Sequence, residues 1–267
     1  MNELTLDKMQ RIEFGILKHF DVFCKEHNIK YYLSNGTLLG AVKYNGFIPW
    51  DDDVDVFVPR DDYDRLLKIY EDNEQYKLFS FEKDESFHFP FAKLCDLSTR
   101  KIMPEFRNTD AVYGLEMDIF PLDCWSSDCK VAQKEVRNIS REIMFLQASQ
   151  YIKSPTKHWK TIVWKLISIY ARIRKGKYFN KKIVKKSKAN KQEHPAYVGC
   201  KTWCLYGKKE IIPAEVFDDV VYVEFEGQMF PAPIGYDTYL RSLYGDYEKD
   251  PPKEKQKSNH RFRAYRR

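Results

Sequence analysis

The sequence predicts an α+β fold: one domain over residues 1–267, with a basic helical insertion at 150–192 and a C-terminal helix and tail at 236–267. Three observations carry this. Strand signals dominate from Lys77 to Asp123, in LFSF, FHFPFAKLCDL and GLEMDIFPLD. Helical periodicity brackets them, before Glu26 and after Asp128. Between Lys153 and Lys191 stand fourteen Lys/Arg and no Asp/Glu, with apolar residues at helical spacing. No internal repeat and no Gly/Ser linker divides the chain.

Taken in order, Leu6 to about Glu26 places Met9, Ile12, Ile16, Phe20 and Phe23 on one helical face, and Asn28 supplies a stop. Lys30–Ser34 reads as a short strand, Asn35-Gly36 as a turn and Thr37–Lys43 as a short helix. Gly46–Trp50 is irregular because Pro49 lacks a backbone donor. Asp53–Val58 is strand-like, and Asp61 opens a helix with Tyr63, Leu66, Leu67 and Tyr70. Asp128 to about Ile152 is helical, 195–235 mostly extended, and Tyr236–Leu243 helical.

The net charge of +6 conceals a split. Outside the basic segment the chain holds 31 Lys/Arg against 39 Asp/Glu, about −8, so an acidic body carries one basic region. The composition excludes collagen-like, low-complexity and disordered classes. The N-terminus lacks the pattern of a secretory signal, and no apolar run reaches the roughly 18 residues of a membrane span. Reduced thiols are therefore expected for the six cysteines. Cys124/Cys129 and Cys200/Cys204, spaced C-x4-C and C-x3-C, fit a zinc site less well than free buried thiols.

The strongest chemical signal is Trp50-Asp51-Asp52-Asp53-Val54-Asp55-Val56. In a strand, alternate residues share a face, so Asp51, Asp53 and Asp55 point one way and Val54, Val56 and Val58 into a core. Like charges on one strand face repel, and a hard divalent cation is the simplest compensation. A calcium loop is disfavoured, because Val56 stands where the EF-hand glycine would be. Asp118, opposite Met117 and Ile119 in a second strand, offers a third carboxylate of the kind a two-metal phosphoryl-transfer site needs. Ser34-Asn35-Gly36-Thr37, joining a strand to a helix, can present N–H groups and a hydroxyl to a phosphate.

These blocks, SNGTLLG at 34–40 and GFIPWDDDVD at 46–55, resemble the LicD family of phosphorylcholine transferases and, more distantly, fukutin-type ribitol-phosphate transferases. The resemblance extends through Pro59-Arg60 with Tyr63, Ala92-Lys93 with Asp96 and Thr99, 118–123, Tyr244–Tyr247, and Pro251-Pro252 before His260. It implies a nucleotidyltransferase-like mixed sheet flanked by helices. It also implies transfer of phosphocholine from CDP-choline to a sugar hydroxyl of a teichoic-acid or lipopolysaccharide-type precursor, with release of CMP.

On that resemblance Asp53, Asp55 and Asp118 are catalytic and ligate Mg²⁺ or Mn²⁺, two ions in all, with Asp51 as a further ligand. Gly36 and Thr37, with Ser34, face the pyrophosphate; Lys93 and Arg60 take remaining phosphate charge. His260 contacts substrate. Choline calls for an aromatic site with a nearby acid. Trp50 leads the candidates, ahead of Tyr31, Tyr32, Phe89, Tyr113 and Trp125.

Trp159, Ile162, Val163, Leu166, Ile169, Tyr170 and Ile173 form one broad helical face flanked by lysines and arginines. The segment 157–191 reads as a contact with an anionic membrane, or as a helix packed on the body; nucleic acid is not expected. The combined expectation is a cytoplasmic enzyme, peripheral at the inner face of the plasma membrane, with a lipid-linked acceptor. Transfer of ribitol- or glycerol-phosphate from its CDP derivative is the alternative, or a DxD glycosyltransferase, although only about fifty residues precede Asp51 to build a nucleotide-binding unit.

Overall fold

The computed structural model describes residues 2–104, 106, 113–151, 160–258 and 262–267. Along the chain run α1 (Leu6–Glu26), β1 (Tyr32–Leu33), α2 (Asn35–Tyr44), β2 (Val54–Pro59), α3 (Arg60–Ile69), β3 (Tyr76–Phe79), β4 (Ala92–Ile102) and β5 (Tyr113–Cys124). Then follow α4 (Cys129–Gln150), α5 (Lys160–Arg174), α6 (Gly176–Ser187), β6 (Tyr197–Gly199), β7 (Ile212–Pro213), β8 (Val220–Phe225), β9 (Gln228–Pro233), α7 (Tyr236–Tyr244) and β10 (Arg263–Arg266). The α+β class is as the sequence predicts. Helix α1 keeps its predicted bounds, but its buried seam is Glu13, Ile16, Leu17, Phe20, Asp21 and Cys24.

The main sheet is mixed, in the order β1-β2-β5-β4-β10, with β3 also on β4 and β6-β7 continuing from the end of β5. Among the described residues only β2 and β5 are parallel, running in register from Val54↔Met117 to Pro59↔Leu122. Their inward residues Val54, Val56, Val58, Met117 and Ile119 are fully buried. The helices α1 and α3 lie against this central pair and α2 against β2.

A separate hairpin, β8–β9, turns at Glu226-Gly227, both at positive φ as a tight hairpin turn requires. Its tip grips the loop leading to the acidic cluster. Glu226 donates its amide to Asn45 O at 2.9 Å, and its carboxylate accepts the Phe47 N–H at 3.2 Å. Gly40 lets this loop close on α2, since a Cβ there would stand 2.4 Å from Gly46 O.

The insertion is more differentiated than its composition suggests. Helices α4, α5 and α6 share a second core around Val136, Ile143, Leu146, Ala171, Phe179 and Ile183. Lysines of and just after α6 are stitched to acids of the body. Lys177 and Lys181 pair with Glu85, Lys182 and Lys186 with Glu142, Lys188 with Asp64 and Glu82, and Lys191 with Asp61. Helix α5 differs: Trp164, Ile167 and Ala171 turn inward, while Ile162, Leu166, Ile169 and Ile173 form an outward stripe, each 54–75% exposed. Lys153, Lys157 and Trp159 lie outside the described residues. Among the described residues no helix is long and apolar enough to cross a membrane. All six cysteines are free; Cys24, Cys95, Cys200 and Cys204 are buried, Cys124 is partly so and Cys129 is exposed.

Candidate active site

The site begins where β1 hands over to α2. The Ser34 amide donates to Asp55 O at 3.0 Å, and the Asp55 amide donates to Thr37 Oγ1 at 2.8 Å. These two bonds pin the first turn of α2 beside β2. Asn35 opens the helix at φ 45°, a left-handed value that asparagine tolerates. Its side-chain Oδ1 accepts from Tyr239 Oη at 2.8 Å, and its side-chain N–H donates to the Asp55 carboxylate. Gly36 faces Asp51 so closely that a Cβ would lie 2.8 Å from Asp51 Oδ2.

Strand pairing then lines up the chemistry. Asp55 stands opposite Asp118 across the parallel pair, and Asp118 opposite Lys93 across the antiparallel pair β4/β5. Lys93 Nζ donates to Asp118 Oδ1 at 2.6 Å and to Glu116 Oε1 at 3.2 Å; Lys101 reaches the same Glu116 oxygen at 2.7 Å. Asp51 precedes β2, yet it shares the cleft with Asp53 and Asp55, whereas Asp52 turns away to accept from Ser258 Oγ.

The charges are strained in a way that suits a cation. Burial raises the Asp55 carboxyl well above the ordinary carboxylate range; the charges of Asp53, Asp118 and Asp51 raise it further, and the Asn35 hydrogen bond opposes them. Burial also raises Asp118, against the pull of Lys93. Lys93 stays charged, since Asp118 and Glu116 outweigh its own burial. Among the described residues no three His, Cys, Asp or Glu side chains already form a metal cluster. The donor set nevertheless fits a hard cation: oxygen-only ligands, three of them on two adjacent strand ends, and like charges that raise one another's pKa.

The carboxylates form the floor of a cleft of ≈ 950 Å³. One rim carries Trp50, which meets Tyr44 edge to face at 6.4 Å; another carries Trp203, Tyr206 and Tyr244; the C-terminal tail adds Lys249, Lys255 and Lys257. Lys249 is paired with Asp246. Glu210, buried at the same cleft, is pushed up to about 8 by desolvation, against the Tyr206 amide it accepts.

The comparisons with known proteins fall on this geometry. A family profile described as LicD/FKTN/FKRP, nucleotidyltransferase domain, matches residues 28–123, the stretch that holds every carboxylate of the row. The chain is 33% identical over 275 residues, 99% of each chain, to the lipopolysaccharide cholinephosphotransferase LicD of Haemophilus influenzae. The chain belongs to the LicD family. It is a phosphotransferase. Shorter matches join it to uncharacterised proteins of Rickettsia prowazekii, 39% identical over 62 residues (23% of each chain), and of Rickettsia typhi, 41% identical over 49 residues (18% of this chain and 16% of the relative).

Of the residues singled out in this LicD-family sequence, Gly36, Trp50, Asp51, Asp53, Asp55 and Asp118 line the cleft together. Lys93 joins them through Asp118. Ser34 and Thr37 do not line it: both are buried, Thr37 Oγ1 is used by the Asp55 amide, and they hold β2 in place. Arg60 is also elsewhere, in a two-point bond to buried Asp123, with Asp64, Glu82 and Ser187 around it and the Tyr63 ring 5.0 Å away. His260 lies outside the described residues. Of the other aromatic candidates, Tyr31, Tyr32, Phe89, Tyr113 and Trp125 are buried in the cores. Sequence reasoning missed the role of the Asn35 side chain, and missed Glu210, Trp203, Tyr206, Lys255 and Lys257. Asn35 was legible as the polar half of an Asn-Gly turn; the rest come from segments that approach the cleft only through tertiary folding.

Proposed function

We propose that this LicD-family protein transfers phosphocholine from CDP-choline to a sugar hydroxyl of a lipopolysaccharide- or teichoic-acid-type glycan precursor and releases CMP. One observation carries the reading: Asp55 and Asp118 stand side by side on parallel strands, with Asp53 adjacent, at the floor of a cleft that can hold a nucleotide. The name of the Haemophilus influenzae relative supports the choice of phosphocholine and of a lipopolysaccharide-type acceptor.

In the transfer, the acceptor hydroxyl oxygen bonds to the phosphorus bearing choline and gives up its proton to solvent. The bond from that phosphorus to the bridging oxygen of CMP breaks, and CMP keeps the electron pair. Two divalent cations, Mg²⁺ or Mn²⁺, held by Asp53, Asp55 and Asp118 with Asp51 beside them, would neutralise the diphosphate. Lys93 fixes Asp118 in orientation, and Asn35 does the same for Asp55. Lys255 and Lys257 add positive charge at the rim where a diphosphate would enter.

The acceptor side of the reading is a membrane surface. On α5, Ile162, Leu166, Ile169 and Ile173 face outward beside Lys165, Arg172, Arg174 and Lys175, for which no ion pair is seen among the described residues. Exposed aliphatic residues flanked by cations suit an anionic bilayer. Helix α6, its lysines largely spent on the body, is the less suited half.

The test is CMP release from CDP-choline in the presence of Mg²⁺ and a glycolipid acceptor fraction. The expected result is turnover abolished by EDTA and reduced at least a thousandfold by Asp55→Asn. Turnover with CDP-ribitol or CDP-glycerol but not CDP-choline contradicts the choline assignment.

A further inference from the structure

The wall of the cleft built by the C-terminal third is aromatic where the floor is acidic. Trp203 and Tyr206 follow β6, and Tyr244 ends α7; all three line the cleft. Tyr206 and Tyr244 meet edge to face at 5.6 Å, with their hydroxyls 3.3 Å apart. Trp203 packs on Phe91 at 5.4 Å, and Phe91 on Phe120 at 4.5 Å. Phe120 lies two residues beyond Asp118 and also lines the cleft, so the wall starts beside the carboxylate row. Asp55 is near enough to influence both tyrosine hydroxyls.

Glu210 completes the wall. It is 6% exposed, and its Oε1 accepts the Tyr206 N–H at 2.8 Å, which fixes the carboxyl at the foot of the aromatic turn. Its position is costly for folding alone, because no cationic side chain is seen paired with it among the described residues. A buried acid on a cleft wall that also carries Trp203, Tyr206 and Tyr244 suits a cation without hydrogen-bond donors.

We propose that Trp203, Tyr206, Tyr244 and Glu210 form the subsite for a quaternary ammonium group, the head of the donor's choline. This rests on the reading of the donor as CDP-choline. A trimethylammonium group offers only methyl surfaces carrying diffuse positive charge, so ring faces recognise it and hydrogen bonds do not; Glu210, which burial keeps largely protonated at neutral pH, ionises as the cation settles beside it. A primary ammonium is far more strongly hydrated, and ring faces do not replace the water it gives up on entering the same wall. The nitrogen of phosphocholine stands one oxygen and two carbons from phosphorus. Its subsite must therefore adjoin the transfer residues, as this wall does through Phe120.

The test is calorimetric titration of the full chain in Mg²⁺ with CDP-choline, CDP-ethanolamine and CMP. The wild type is expected to bind CDP-choline at least tenfold more tightly than CDP-ethanolamine. Tyr206→Leu and Glu210→Gln should each weaken CDP-choline about tenfold, which corresponds to about 1.4 kcal/mol, and leave CMP binding unchanged. Tyr206→Phe should retain the affinity. The unchanged CMP affinity shows that the variants are folded. The subsite alone is overturned if CDP-choline is turned over normally and these variants bind it as the wild type does, or if only Trp50→Leu weakens it. A wild type that binds CDP-ribitol or CDP-glycerol but not CDP-choline overturns the donor reading, and the subsite with it.

Discussion

Arg60 separates a structural role from a substrate role most cleanly. Its guanidinium meets Asp123 through Nε–Oδ1 at 2.7 Å and Nη2–Oδ2 at 2.9 Å, with side-chain exposures of 12% and 2%. The pair ties the start of α3 to the end of β5, and Ser187 adds the end of α6. Arg60→Ala leaves a buried carboxylate without its partner, which costs about 3–5 kcal/mol. For a chain of this size that lowers Tm by roughly 10 °C. Asp123→Ala in the Arg60→Ala background should recover part of the loss, and a double-mutant cycle by urea denaturation gives the coupling.

The pH signature of that variant has a definite sign. Burial already raises the Asp123 carboxyl, and Arg60 pulls it down. Without Arg60 the folded-state pKa rises further, so the folded variant takes up a proton there more readily than the unfolded chain does. The penalty of Arg60→Ala is therefore full above that raised value and shrinks as pH falls through it. Below the melting range, KM for the nucleotide donor should stay within about twofold of wild type. A stable Arg60→Ala protein with a tenfold higher KM would refute this reasoning and return Arg60 to the phosphate.

Other outcomes follow from the same geometry. Glu210 has a folded value of about 8 against a usual 4.5, so its stabilising proton is fully in place below about pH 4 and is lost as pH rises to 8. The swing is roughly 5 kcal/mol, so the urea midpoint of Glu210→Gln should gain on wild type from pH 5 to pH 9; a constant gap contradicts the burial argument. Gly36→Ala should cut turnover about tenfold by displacing Asp51 without lowering Tm, since alanine favours a helix by about 0.5–1 kcal/mol; unchanged kinetics would mean that Asp51 is dispensable. Leu166→Glu with Ile169→Glu, on side chains 64% and 54% exposed, should lower sedimentation with anionic vesicles at least tenfold and leave the melting curve intact. Equal sedimentation excludes α5 as the docking face.

How far the sequence was legible depended on whether a feature is local. Alternation along 53–58 and 115–120 predicts which carboxylates share a face, and the structure places Asp55 and Asp118 directly opposite each other. Spacing does not show that Thr37 serves the Asp55 amide, because that bond depends on how α2 docks against β2. Nor does it show Arg60 claimed by Asp123, 63 residues away. The basic segment reads as a single unit until packing divides it: α6 finds acids on the body and α5 keeps its aliphatic stripe outside. Trp50 stood out because it adjoins the acidic motif, while Trp203, Tyr206 and Tyr244 reach the same cleft from more than 80 residues beyond Asp118.

The central claim is that Asp53, Asp55 and Asp118 act as one cation-dependent phosphoryl-transfer site. Titration of CDP-choline into the wild type and Asp55→Asn, each with Mg²⁺ and with EDTA, tests it most directly. The account predicts binding by the wild type that requires Mg²⁺, and a loss of that requirement together with at least a hundredfold weaker binding in Asp55→Asn. Tight binding that survives both EDTA and the substitution would contradict it.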